Sequence, residues 1–182
     1  TLHRQAIADD PQRNWDCFVS WYAPPPPDAA PEELQADGFD NKCEAFVDAY
    51  ERTLRGKGYS HFLMLDDDVK FKPGDISRFF EWCERAQIDQ AHPALRWRTY
   101  VNFPVTMRNP VCHVRRVGWV EIMSPCFSAR VMDVVLPLLT LTKSTWGVDF
   151  ACAHEVARVG GVTAMVDAIV VDPNQQSSYD IP

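Results

Sequence analysis

Apolar residues in this chain recur in two rhythms, and the switches between them mark its elements. Residues 17–22 (Cys17, Phe18, Val19, Ser20, Trp21 and Tyr22) form a short β-rich run that the prolines from Pro24 to Pro27 end, because proline neither donates to a ladder nor continues a helix. A stiff loop to about Gly38 is expected next. Phe46, Val47, Tyr50 and Leu54 then recur at helical spacing, with Asp40 as the expected N-cap and Gly56 and Gly58 as the stop. Residues 61–65 (His61, Phe62, Leu63, Met64 and Leu65) read as a buried strand that runs straight into Asp66, Asp67 and Asp68. After the Pro73-Gly74 turn, Asp75 is the expected cap of a helix whose apolar stripe is Ile76, Phe79, Phe80 and Cys83.

The second half is less regular. Polar and aromatic residues fill 86–116, and their pattern settles no element. A β-like run is expected at 118–123, helices near 130–139 and 149–158, and a last strand at 163–171 after Gly160-Gly161. Strands alternating with helices, with a charged cluster at the carboxyl end of a hydrophobic strand, predict an α/β fold. Its central, mostly parallel sheet is expected to be flanked by helices, with ligands outside the strand ends. Residues 1–182 are expected to form a single domain.

Composition narrows the partners. The net charge is −7, from 25 acidic and 18 basic residues, so the surface as a whole repels nucleic acid and anionic membranes. No run approaches the roughly 18 apolar residues of a membrane span, and the opening TLHRQAIADD is too polar for a signal peptide. The six cysteines (Cys17, Cys43, Cys83, Cys112, Cys126 and Cys152) lie in apolar stretches without a CxxC pair, which predicts reduced, buried thiols and a cytoplasmic setting. The chain opens on Thr1 rather than Met, which leaves open a longer parent protein.

The three adjacent aspartates carry the candidate chemistry. Their mutual repulsion is relieved by a hard divalent cation, which takes carboxylate oxygens readily. In a strand-end turn Asp66 and Asp68 converge on one side, leaving Asp67 to reach a ribose or a neighbouring donor. A nucleotide diphosphate sharing that metal would have its leaving-group charge neutralised. A solvated acidic turn is the plainer alternative. An EF-hand loop from Asp66 would need Gly and Glu where Phe71 and Ser77 stand, so that reading fails. A haloacid-dehalogenase-like phosphohydrolase, with Asp66 as nucleophile and Asp68 as acid/base, stays as the runner-up, although Val69-Lys70 replaces the usual Gly-Thr.

Other candidates are weaker. Trp146, Gly147, Val148, Asp149 and Phe150 combine a sugar-stacking aromatic with a carboxylate that either caps a helix, its more ordinary role, or deprotonates an acceptor hydroxyl. Glu121 is either an acceptor-site carboxylate or an outward-facing strand residue. Arg96, Arg98, Arg108, Arg115 and Arg116 either grip a diphosphate or, as most arginines do, stay solvated. His113 and His154 have no metal-ligand spacing and are expected to be structural.

With these residues laid out, the chain resembles the glycosyltransferase-like family known as domain of unknown function 707, and more distantly the nucleotide-sugar transferases of GT-A type. The matching segments are 18–22, 42–50, 59–68, 88–95, 120–128 and 146–150. The resemblance implies a GT-A-like, Rossmann-like fold and a divalent-metal-dependent, inverting transfer of a sugar from a nucleotide diphosphate-sugar to a hydroxyl acceptor. It implies metal ligation by Asp66 and Asp68, donor contacts by Asp66, Asp67 and Lys42, an acceptor-side role for Glu121, and Asp149 as general base. Where relatives end their last core strand on a histidine, Asp172 stands here, and an all-carboxylate site favours Mg²⁺ or Mn²⁺. GT-A folds begin with a nucleotide-contacting strand, and only residues 1–4 precede the expected turn at 9–13, so that first strand is expected to be missing. A relative that binds sugar or nucleotide without turnover is the remaining alternative.

Overall fold

A computed structural model describes residues 2–21, 27–28, 33–35, 39–97 and 103–173. Tyr22, Pro24, Gly38 and Arg98 lie outside the described residues. Among the described residues no helix is long and apolar enough to cross a membrane.

The fold is mixed α/β. Its strands are β1 (Val19–Trp21), β2 (Glu33–Gln35), β3 (His61–Leu63), β4 (Val69–Lys70), β5 (Gln90–Leu95), β6 (Arg115–Arg116), β7 (Cys126–Ser128) and β8 (Thr163–Pro173). Its α-helices are α1 (Leu2–Ala8), α2 (Lys42–Ala49), α3 (Asp75–Arg85), α4 (Met132–Val135) and α5 (Val148–Arg158). β1 and β2 pair in parallel, so part of the expected stiff loop is a strand.

The main sheet has six strands in the order β3-β7-β5-β8-β4, with β6 also on β8. The expected mostly parallel sheet is corrected here. Only β5 and β8 pair in parallel, while β3 with β7, β7 with β5, and both β4 and β6 with β8 are antiparallel. A parallel pair needs a long crossover connection, and residues 96–162, which carry α4 and α5, supply it between β5 and β8.

Each face of the sheet is covered. Ala91 and Cys126, paired across β5 and β7, pack with Phe79 and Cys83 of α3 and Ala164 and Val166 of β8. Phe62 and Phe127, paired across β3 and β7, face the core shared by α2, α4 and α5, which includes Cys43, Tyr50, Met132, Cys152 and Val156. The stripe read for α3 holds, with Ile76, Phe79 and Cys83 buried.

The starts of α2, α3 and α5 differ from expectation. Asn41, not Asp40, caps α2, its Oδ1 accepting from the amides of Cys43 and Glu44 at 3.0 and 3.1 Å. Asp40 instead binds Lys143 at 2.8 Å. Gly74 and Gly147 cap α3 and α5 in the left-handed conformation (φ 73° and 81°), which puts Asp75 and Asp149 inside the first turn rather than at the cap. Residues 118–123 are coil and turn rather than strand, and the strand follows at β7. Residues 129–138 form short 3₁₀ and α turns in place of one continuous helix. All six cysteines are free thiols; Cys17 and Cys112 are only half-buried.

Candidate active site

Three residues beyond β3 the chain leaves the sheet at Asp66. Met64 still pairs through its amide with the Pro125 carbonyl at 2.9 Å, whereas Leu65 is exposed, so the strand ends because its core face runs out. Lys42, the first residue of α2, reaches across and donates to Asp66 Oδ1 at 2.6 Å and to the Met123 carbonyl at 2.8 Å. One ammonium thus ties α2, the end of β3 and the 118–125 loop together. Burial pushes the Asp66 pKa above the ordinary carboxylate value; Lys42 opposes this and the Asp68 and Asp67 charges add to it. Asp67 is exposed and Asp68 half-buried.

Asp149 stands at the same end of the molecule. The loop before α5 is fastened to the residues before α2, since Asn41 Nδ2 donates to the Lys143 carbonyl at 3.2 Å while Lys143 binds Asp40. Inside, Cys43 of α2 and Cys152 of α5 sit in one core cluster. Burial raises the Cys152 thiol to about 12, with Cys43 and Asp149 adding to it, and raises Cys43 to about 11, with Lys42 opposing and Asp66 adding. The two carboxylates therefore bracket one short stretch of interior. Asp149 is 9 % exposed and accepts from the Phe150 amide at 2.9 Å. Burial raises its pKa more than the helix-start amides lower it. Glu121 is half-buried in the loop that Lys42 holds through Met123, and Trp119 of that loop lies 4.6 Å from Phe150 of α5.

No known protein-family profile matches the chain, and no curated protein is significantly similar to it.

Lys42, Asp66, Asp67 and Asp68 therefore lie at the end of β3, Glu121 in the loop that Lys42 holds, and Asp149 at the start of a helix that packs with α2 in one core. Asp172 is not gathered with them into a metal-holding group: it lies on β8 opposite Lys70 and forms an ion pair with Arg96 at 3.1 Å. Among the described residues, no three His, Cys, Asp or Glu side chains are arranged to hold a metal ion. The oxygen-only donor set and the residual repulsion at Asp66 nevertheless suit a hard divalent ion that takes its remaining ligands from a bound phosphate, as Mg²⁺ commonly does. Of the arginines, Arg115 is structural: it binds the buried Asp167 at 2.8 Å and the carbonyls of Val105 and Met107. Arg108 and Arg116 are exposed. His113 stacks on Trp82, and His154 is exposed.

Two groups escaped sequence reasoning. His92 of β5 is wholly buried, its Nδ1–H donating to the Pro93 carbonyl at 2.5 Å while Nε2 has no hydrogen-bond partner among the described residues; Lys42 is close enough to influence it electrostatically. The other is the set of rings formed by Phe103, Trp119 and Phe150. Their positions, up to 47 residues apart, share no period, and only tertiary packing unites them.

Proposed function

We propose that the chain is a GT-A-like glycosyltransferase of the resembled family, moving a sugar from a nucleotide diphosphate-sugar to an acceptor hydroxyl with inversion. The observation that supports this reading is a Lys42–Asp66 pair at a strand end together with a buried carboxylate, Asp149, at the start of a helix whose preceding loop Asn41, the residue before Lys42, holds. In this reading Asp66 and Asp68 hold Mn²⁺ or Mg²⁺, which supplies neutralising charge for the diphosphate. Asp67 and Lys42 contact the donor, and Lys42 also fixes Asp66 in place. Glu121 lies on the acceptor side. Six free thiols support a reducing, cytoplasmic setting.

Asp149 takes the proton from the acceptor hydroxyl as that oxygen attacks the anomeric carbon, and the bond from that carbon to the diphosphate oxygen breaks with its electron pair leaving on the nucleotide. Burial suits Asp149 to this role, because a carboxylate with a raised pKa is a stronger base. The base must be ionised, so the rate falls as pH drops through its raised pKa.

Asp149→Asn keeps the shape and removes the base. Transfer should fall at least about a hundredfold, within the range of general-base contributions, with donor affinity unchanged. Unaltered turnover removes Asp149 from the mechanism. Release of phosphate from simple esters through an aspartyl-phosphate at Asp66 would favour the phosphohydrolase, and donor binding without any transfer would favour a non-catalytic relative.

A further inference from the structure

Three rings from three separate segments close on one another beside Asp149. Phe103 sets its edge against Trp119 at 4.8 Å and 88°, and Trp119 lies 4.6 Å from Phe150 at 35°. Phe150 directly follows Asp149 on α5 and is 51 % exposed, while Trp146, at the turn into α5, is 83 % exposed. An exposed aromatic standing alone needs no explanation, but this is a braced set next to a buried carboxylate.

We infer that Phe150, braced by Trp119 and through it by Phe103, forms together with the exposed Trp146 of the same helix start a stacking platform for a pyranose ring of a neutral saccharide. The inference names the acceptor class and rests on the transferase reading for which hydroxyl reacts, though not for binding itself. A pyranose has an apolar C–H face that an aromatic face attracts, and hydroxyls at its rim that carboxylates accept from. Phe150 and Asp149 are consecutive on α5, and the Trp119 segment also carries Glu121, so ring faces and acceptor oxygens come from the same two elements.

Size and charge select the occupant. A side chain of this kind buries roughly 150–250 Å² when wholly covered, and these rings are partly covered already, so the patch falls short of the roughly 800 Å² per partner of a stable protein interface. With Asp149 and Glu121 alongside and a chain charge of −7, an anionic sugar is repelled and a neutral one is not.

The test is saturation-transfer difference NMR on the full chain without nucleotide, using cellotetraose and tri-N-acetylchitotriose as neutral probes and trigalacturonate as the anionic one. Transfer to ring C–H protons of at least one neutral probe is expected, with none to trigalacturonate. Affinity should weaken about tenfold in Phe150→Ala and in Trp146→Ala and be retained in Phe150→Tyr, with circular dichroism showing each variant folded. The inference is overturned if neither neutral probe receives transfer, if both alanine variants bind as before, or if only trigalacturonate binds. Self-association that is lost in Phe150→Ala would give the patch to a second copy and overturn it as well. Nucleotide binding is read separately: saccharide binding without nucleotide binding leaves the platform and refutes the transferase, and the reverse refutes only the platform.

Discussion

Asp66 titrates in the company of two charges of its own sign and one of the opposite. Lys42 is the opposite one, so Lys42→Met should push the Asp66 pKa further above the ordinary carboxylate value. Carbon-detected NMR titration of the Asp66 carboxyl measures this, and an unchanged or lower midpoint would mean that Lys42 does not hold the site together. The aspartates themselves were legible in the sequence, because three carboxylates directly after a hydrophobic strand are a local signal. The span from Lys42 to Met123 was not, since no periodicity relates residues 81 positions apart. At Asp75 and Asp149 the sequence suggested helix caps, and the preceding glycines hold those places because only glycine enters a left-handed turn freely. That displacement leaves the Asp149 carboxylate inside the first turn, buried, and with its pKa raised.

Among the strands, β5 is the longest that the pattern hid. All six of its residues are buried between β7 and β8, yet Gln90, His92 and Pro93 interrupt the apolar run that would announce a buried strand. Proline lacks the amide a central strand uses, and the register with β8 shifts just after it, from Val166 opposite Pro93 to Val170 opposite Ala94. The β8 residues thereby released pair elsewhere: Asp167 accepts from the Asn109 amide and Arg115, and the Ala168 amide donates to the His113 carbonyl. At the start of β8, Gly161 packs so closely that a Cβ would lie 2.7 Å from Val156 Cγ1 and 2.8 Å from the Val156 carbonyl oxygen. It would also crowd Asp89, the buried carboxylate that binds Arg130, Ser128 and the Val162 amide. Gly161→Ala should therefore cost about 1–3 kcal/mol in chemical denaturation, as overpacking does. A neutral result would mean that the turn between α5 and β8 yields easily. α2, α3, α5 and β8 were readable because each keeps its period, whereas the sheet order depends on pairings no local window contains.

The whole molecule carries an acid-sensitive interior. Burial is the main cause that lowers the His92 pKa from 6.5 to about 4, assisted by the Lys42 charge and opposed by the bond to the Pro93 carbonyl. The folded chain therefore stays neutral there while the unfolded chain takes a proton, so the contribution of His92 is complete above pH 6.5 and is lost as pH falls towards 4. Over that window it amounts to about 3 kcal/mol. Asp66 and Asp149, whose pKa values are raised, act in the opposite sense, so the effect is isolated by comparing urea unfolding of the native chain and His92→Leu across the window. The native chain should lose about 3 kcal/mol more than the variant; parallel curves would contradict the assignment. The central claim, that one end of this sheet binds a nucleotide diphosphate-sugar, is tested most directly by calorimetric titration with UDP, GDP, CDP and ADP, each with and without Mn²⁺. Binding of one nucleotide that needs Mn²⁺ and disappears in Asp68→Ala is the predicted result; no binding of any of the four, or binding indifferent to both metal and Asp68, would contradict it.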